Sequence, residues 1–182
     1  MHDNAGTSDS AASSGESSSP PVSSDDRQAG DGQGDGQGLR VDFYIIDESS
    51  AAARLKLACR LAEKAYLAAQ TALVWHTDPE ELKAFDDMLW TFMDGSFVPH
   101  EMLTARASTD ETPVLLSSGT APSADVDIII NLAPDVPGCL SRTRRVAEII
   151  DGDDSRRRAG RARFKAYRDL GIQPASHNIR GS

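Results

Sequence analysis

The chain has 182 residues and a formal net charge of −9, a length that suits one domain of ordinary size. Two cysteines lie 80 positions apart with no Cys or His at metal-ligand spacing, which argues against a zinc site. No stretch approaches the roughly 18 apolar residues that span a bilayer, and the N-terminus lacks the pattern of a signal peptide. We therefore expect a cytoplasmic protein that has no membrane partner.

Charge is distributed very unevenly along the chain. Residues 1–38 hold seven acidic residues and one basic residue, whereas residues 142–168 hold ten Lys and Arg against four acidic residues. The first 38 residues are almost wholly Ser, Gly, Asp, Ala, Gln and Pro. Because such a segment buries too little apolar surface to offset its ordering entropy, we predict a disordered acidic leader over residues 1–38.

The first half of the ordered chain alternates strand and helix patterns. Val41–Ile46 reads as a strand, and a regular apolar stripe predicts a helix between Ser50 and about Thr71. A short buried strand follows at residues 72–76. Asp78 as N-cap and Pro79 in the first turn then open a second helix, which we expect to end near Gly95. This helix carries Leu82, Phe85, Leu89 and Met93 on one side, and a loop covers residues 96–100.

The second half continues the pattern. We predict strands over residues 113–117, 127–132 and 145–150, with a turn and one helical turn over 134–141. Asp153 or Asp154 caps a long basic helix, and residues 173–182 read as a short polar tail. This order predicts an α/β fold: a single three-layer, Rossmann-like domain over residues 39–172, with a mainly parallel sheet and helices on both faces.

Signatures of nucleotide binding and catalysis are missing from the sequence. There is no G-x-x-x-x-G-K-[ST] loop, and the turn after the first strand, residues 47–50, is acidic and glycine-free, which disfavours a phosphate group. His76, His100 and His177 are each more readily explained by structural or exposed roles than by catalysis. We expect no nucleotide site, no cofactor, no metal and no active site.

The basic helix, Arg156–Arg168, is the most informative segment. Arg157, Arg161, Phe164 and Arg168 fall on one helical face, where three guanidinium groups surround an aromatic ring. A second stripe is small and apolar enough to pack on the sheet: Ala159, Ala162, Ala166 and Leu170. The first face suits an anionic ligand with a bulky apolar group, such as an acidic peptide, although a merely solvated charged face is the plain alternative.

Three sequence motifs together resemble the chi subunit of bacterial DNA polymerase III. They are Phe43-Tyr44-Ile45-Ile46-Asp47, the pair Leu89-Trp90 leading into Ser96-Phe97-Val98-Pro99-His100, and Arg163-Phe164-Lys165-Ala166-Tyr167-Arg168. A strand of type D-I-hydrophobic-I-x-L, residues 127–132, lies at the expected place between them. The resemblance covers about residues 41–171, nearly all of the chain predicted to be ordered.

The resemblance implies a non-catalytic adaptor in DNA replication that has a nucleotide-binding fold but uses no nucleotide. Chi proteins bind the acidic, Phe-terminated C-terminal tail of single-stranded DNA-binding protein, and they bind the psi subunit, which tethers them to the clamp loader. The matching tail-binding positions are Ile150, Arg157, Arg161, Phe164 and Lys165. Trp90 and Phe97 match the region that faces psi, although apolar residues near a loop are also often core.

Several alternatives stay open at this point. The basic helix could bind single-stranded nucleic acid directly, although single-strand binders set several aromatic rings along a groove. An unrecognised enzyme of the same fold is a weaker alternative, and the sequence leaves open whether a helicase is a further partner. Two positions depart from the family pattern: Phe164 stands where Tyr is usual, and Asp151 stands where Pro is usual, an acid beside an anion site.

Overall fold

A computed structural model describes residues 38–104 and 112–179. The predicted leader lies outside these ranges except for Gly38. The strands are β1 Arg40–Ile46, β2 Ala72–Trp75, β3 His100–Met102, β4 Val114–Ser117, β5 Ile128–Asn131, β6 Arg145–Ile150 and β7 Ala175–Ile179. The helices are α1 Ala51–Leu67, α2 Pro79–Leu89 and α3 Asp154–Asp169, with one 3₁₀ turn at Leu140–Arg142.

All seven strands form one parallel sheet in the order β3-β4-β2-β5-β6-β1-β7. Side chains alternate between its two faces, so Ala72 and Val74 of β2 join the core under α1 and α2, whereas Leu73 and Trp75 join the core under α3. The central strands β2 and β5 are buried on both faces, which explains why their sequences are apolar except for Asn131. The predicted three-layer α/β fold is confirmed.

Side-chain caps set the starts of the helices. Asp78 accepts a hydrogen bond from the Glu80 N–H at 2.9 Å, and Asp153 accepts from the N–H groups of Ser155 and Arg156 at 3.0 Å each. The Asp78 cap is as predicted, and of the two acids predicted to cap α3 the N-cap is Asp153. The end of α2 differs from the prediction, because the helix stops at Leu89 instead of near Gly95. Gly95, with a φ of +78°, turns the chain after the helix.

Two edge strands were missed by the sequence analysis. The predicted loop over residues 96–100 runs into β3, which pairs with β4. The predicted polar tail, residues 173–182, instead contains β7, which pairs with β1. Its His177 lies 2.9 Å from a carboxylate oxygen of the buried Asp42 and stacks on Tyr44 at 5.2 Å between ring centroids. An edge strand needs little apolar sequence when a buried charge and a ring contact hold it in place.

The packing face of α3 also differs from the prediction. Gly160, Arg163 and Tyr167 are its buried residues, whereas Ala162 is exposed and Leu170 is 63% exposed. The alanine stripe was therefore wrong as the packing face. The reason is Glu148, a fully buried carboxylate on β6 that draws Arg163 and Tyr167 inward through hydrogen bonds.

Candidate functional site

A groove of about 220 Å³ runs between α3 and the sheet at β1, β6 and β7. It brings together four of the five residues predicted to bind a peptide tail: Ile150, Arg157, Arg161 and Phe164. The remaining lining residues are Phe43, Ile45, Gly160 and Ser176. The fifth predicted residue, Lys165, lies in an adjoining hollow, where its ammonium group pairs with Asp169 at 2.7 Å.

Aromatic packing fixes the apolar wall of the groove. The Phe164 ring contacts Phe43 with centroids 5.2 Å apart, and Phe43 in turn meets Tyr167 edge-on at 6.1 Å. Phe43 and Tyr167 are buried, whereas Phe164 is only partly buried. The ring of Phe164 is therefore held in position while one side of it stays open to a ligand.

The rim of the groove is cationic, and its two arginines are weakly engaged. Arg157 makes one long hydrogen bond, 3.4 Å, to the carbonyl of Asp151. Arg161 is exposed, and its side chain has no hydrogen bond or ion pair with any residue in the described part of the chain. Their neighbours Arg156 and Arg163 are both paired with carboxylates. The guanidinium of Arg161 is thus free to pair with an incoming anion.

Asp151, the acid expected to disturb this anion site, is turned away from solvent and neutralised. Its carboxylate is fully buried and accepts hydrogen bonds from Arg156 at 2.7 and 2.8 Å. Burial raises the pKa of Asp151, but the hydrogen bonds from Arg156 and the Asp153 N–H outweigh burial, so its pKa lies below the usual value. The pair supports the start of α3 and leaves the charge of the rim arginines uncompensated.

A buried polar network beneath the groove was missed by the sequence analysis. Glu148 accepts hydrogen bonds from Arg163 at 2.8 Å, Tyr167 at 2.7 Å and Asn131 at 2.9 Å. Burial raises the pKa of Glu148, and the three donors oppose that rise. The sequence signal for this network was a single acid among the apolar residues of β6, followed by an arginine-rich helix. The network sets the rotation of α3 and therefore the direction in which Arg161 and Phe164 point.

A family model described as DNA polymerase III chi subunit, HolC, matches residues 39–175. The chain belongs to this family. The family resemblance inferred from the sequence motifs is confirmed. Among curated proteins, it is 36% identical over 140 residues to the DNA polymerase III subunit chi of Pseudomonas aeruginosa, covering 77% of this chain and 96% of the relative. It is 26% identical over 135 residues to the Escherichia coli subunit chi, covering 71% and 91%.

This membership makes the chain an accessory subunit of DNA polymerase III that acts in DNA replication. Solved structures of other proteins share the chi fold at low sequence identity. T4 UvsW matches with a TM-score of 0.56 and 11% identity, over 78% of this chain but only 42% of UvsW. The C-terminal domain of the DEAD-box protein Dbp5 matches with a TM-score of 0.51 and 11% identity, over 77% and 91%. At this identity, the likeness shows the fold alone.

The chi chain has a second candidate surface at the end of α2. Trp90 is 53% exposed and Phe97 is 62% exposed, with ring centroids 5.6 Å apart. Behind them, the buried ring of His100 lies 4.7 Å from Trp90 and donates a hydrogen bond from Nδ1 to the Val98 carbonyl at 2.7 Å. The other ring nitrogen of His100, Nε2, lies 3.1 Å from an Asp86 carboxylate oxygen. Val98 is itself buried in the core. Two large aromatic rings are therefore presented on a fixed base.

Neither a membrane span nor a cluster of metal ligands is found in the residues that the structure describes. None of their helices is long and apolar enough to cross a membrane. Within the same residues, no three His, Cys, Asp or Glu side chains are grouped so that they could hold a metal ion.

Proposed function

We propose that this chi subunit is a non-catalytic adaptor that binds the acidic C-terminal tail of single-stranded DNA-binding protein in the groove beside α3. Through its second surface it binds psi, which links it to the clamp loader. The observation that carries the tail proposal is an apolar groove of about 220 Å³ whose rim holds an unpaired arginine, Arg161.

The groove is large enough for an aromatic side chain. An engineered apolar cavity of about 150 Å³ holds benzene, so about 220 Å³ leaves room for the terminal ring of a Phe-ended peptide. Ile150 and Phe164 would contact that ring, while Arg157 and Arg161 would pair with the terminal carboxylate and the preceding aspartates.

So small an interface should give roughly micromolar affinity, about 8 kcal/mol, that weakens as salt screens the ion pairs. Several tails on one oligomer of the partner would then raise the effective affinity.

Fluorescence anisotropy with a labelled acidic peptide ending in Phe tests the tail proposal. We expect salt-sensitive binding that is weakened about tenfold or more by Arg161→Ala, the loss of a charge-assisted contact. Arg158→Ala is the matched control, because Arg158 is an exposed arginine of the same helix that does not line the groove. A single-stranded oligonucleotide that binds more tightly than the peptide, with equal losses in both variants, would instead support direct nucleic-acid binding.

The psi proposal rests on Trp90 and Phe97. Large exposed aromatic residues are favoured anchors in protein interfaces, and truncating one costs about 2 kcal/mol or more. We expect Phe97→Ala to weaken binding to the psi subunit at least tenfold in calorimetric titration. Leu170→Ala is the control, since Leu170 is equally exposed but lies after α3. Equal binding by both variants would place the psi interface elsewhere.

A further inference from the structure

Gly160 occupies an unexpected position, the buried middle of α3. Glycine in a helix interior is intrinsically less favourable than alanine, so a buried helical glycine calls for a spatial reason. Here the reason is Ile150 at the end of β6. A Cβ atom added at Gly160 would lie 2.1 Å from Ile150 Cδ1 and 3.1 Å from Ile150 Cγ1. The missing side chain therefore allows helix and strand to approach each other.

The same two residues line the groove. Gly160 and Ile150 both face the cavity of about 220 Å³, alongside Phe164. A methyl group at position 160 would force one of two movements: Ile150 swings its terminal carbon aside, or α3 lifts from β6. The second movement would also strain the Arg163–Glu148 pair, which anchors α3 to β6 at 2.8 Å. The end of the Ile150 side chain is the softer element, and the space beside it is the groove.

We propose that Gly160 and Ile150 act as a size-matched pair that sets the width of the groove and so selects a large terminal side chain on the bound peptide. This inference rests on the proposed tail binding and names its specificity-determining residues. Charge recognition is separate, because the rim arginines Arg157 and Arg161 are long side chains that reach the ligand independently of the width of the groove.

Four proteins test the pair: wild type, Gly160→Ala, Ile150→Val and the double variant. Two labelled peptides serve as probes, one acidic peptide ending in Phe and the same peptide ending in Ala. Valine lacks the Cδ1 atom that lies 2.1 Å from the added methyl, so Ile150→Val should relieve the clash.

In wild type we expect the Phe-ended peptide to bind more tightly than the Ala-ended one. Gly160→Ala should weaken the Phe-ended peptide about tenfold or more, the usual effect of one methyl group in a tight apolar pocket. The Ala-ended peptide should change little, and the salt dependence should stay as in wild type because the arginines are untouched. The double variant should regain Phe binding to within about threefold of wild type, a non-additive result expected only for residues in contact.

Other outcomes overturn the inference in distinguishable ways. If wild type binds the Phe-ended peptide and Gly160→Ala binds it equally well, the pair does not set the groove. If Gly160→Ala weakens both peptides alike, the residue acts on charge or on folding and not on size. Thermal unfolding of the four proteins without peptide tests the contact by itself, since additive midpoint shifts would show that residues 150 and 160 are not matched. If wild type binds neither peptide, the proposed tail binding fails, and the selectivity assigned to the pair fails with it.

Discussion

Arg161 and Arg163 lie half a turn apart on α3 and should have opposite roles, one in binding and the other in stability. Mutating each of them to alanine distinguishes the two roles. Arg163 is buried and bonded to Glu148, whereas Arg161 is exposed and unpaired within the described residues. Removing Arg163 leaves the buried carboxylate of Glu148 without its only ion pair in that part of the chain. Breaking a buried pair in this way costs about 3–5 kcal/mol. Substituting an exposed, unpaired side chain stays within about 0.5 kcal/mol.

The assay is urea denaturation followed by circular dichroism, which gives the free energy of unfolding for each variant. Arg163→Ala could remove a large share of the stability of a domain whose total is about 5–15 kcal/mol. A double variant, Arg163→Met with Glu148→Gln, therefore serves as a second measurement. It removes both charges and keeps an acceptor for Tyr167, so it should be more stable than Arg163→Ala.

The pH dependence of the unfolding free energy of Arg163→Ala provides a further test of the buried Arg163–Glu148 pair. Burial raises the pKa of Glu148, and deleting Arg163 removes an interaction that opposes the rise. Glu148 of the variant then binds a proton more tightly in the folded state than in the unfolded state. The stability deficit of Arg163→Ala relative to wild type should therefore shrink as the pH falls toward 4.5, the ordinary pKa of a glutamate. Equal stability of Arg163→Ala and Arg161→Ala, or a stability deficit of Arg163→Ala that is the same at every pH, would show that the Arg163–Glu148 pair does not stabilise the fold.

Three further predictions concern other parts of the fold. Gly152→Ala should lower the unfolding free energy in urea by about 1–3 kcal/mol, because the new Cβ would lie 2.6 Å from the Asp47 carbonyl, and unchanged stability would contradict this close approach. Burial raises the pKa of Asp42, but its hydrogen bonds with His177 and Arg40 outweigh burial and bring the pKa below the ordinary 3.8. The ionised Asp42 therefore stabilises the fold above pH 3.8, and this stabilisation is lost as the pH falls through the lower pKa of the folded state. Asp42→Asn should therefore lower Tm near neutral pH but flatten the decline of Tm in acid, and a decline as steep as in wild type would count against the pairing. Burial raises the pKa of Cys59 to about 12, so iodoacetamide should label this thiol only after the protein unfolds. Mass spectrometry would detect the labelling, and rapid labelling of the native protein would contradict the burial of Cys59.

The elements that could be predicted from the sequence are those whose local pattern and tertiary environment agree. Strand β5 begins with three isoleucines and lies at the centre of the sheet, and α3 begins at a strong N-cap, Asp153. Strand β7 could not be predicted in the same way, because its three middle residues are polar and its position depends on Asp42 and Tyr44, more than 130 positions earlier. Contacts that distant leave no local pattern.

Some features of the candidate groove could likewise be predicted from the sequence, and others could not. The spacing of four residues placed them on one helical face: Arg157, Arg161, Phe164 and Arg168. The first three line the groove, whereas Arg168 lies in the adjoining hollow beside Lys165. The spacing did not reveal which other face of α3 is buried. The buried face of α3 depends on the buried carboxylate of Glu148, which holds Arg163 and Tyr167 inward. Apolar periodicity does not predict this face, because the pattern treats every charged residue as exposed.

The location of the groove explains why the shared fold says little about what the chain binds. Parallel α/β sheets usually bind ligands beyond the carboxyl ends of their strands. In this chain, Arg54 bridges the carbonyls of Leu132 and Ile149 at that edge, and the Gly152 N–H bonds to the Glu48 carbonyl at 2.8 Å, joining the turns that follow β6 and β1. The groove lies instead at the side of the sheet, under α3. It follows that substitutions at Arg54 should alter stability without altering binding of a Phe-ended peptide, whereas substitutions at Arg161 should do the reverse.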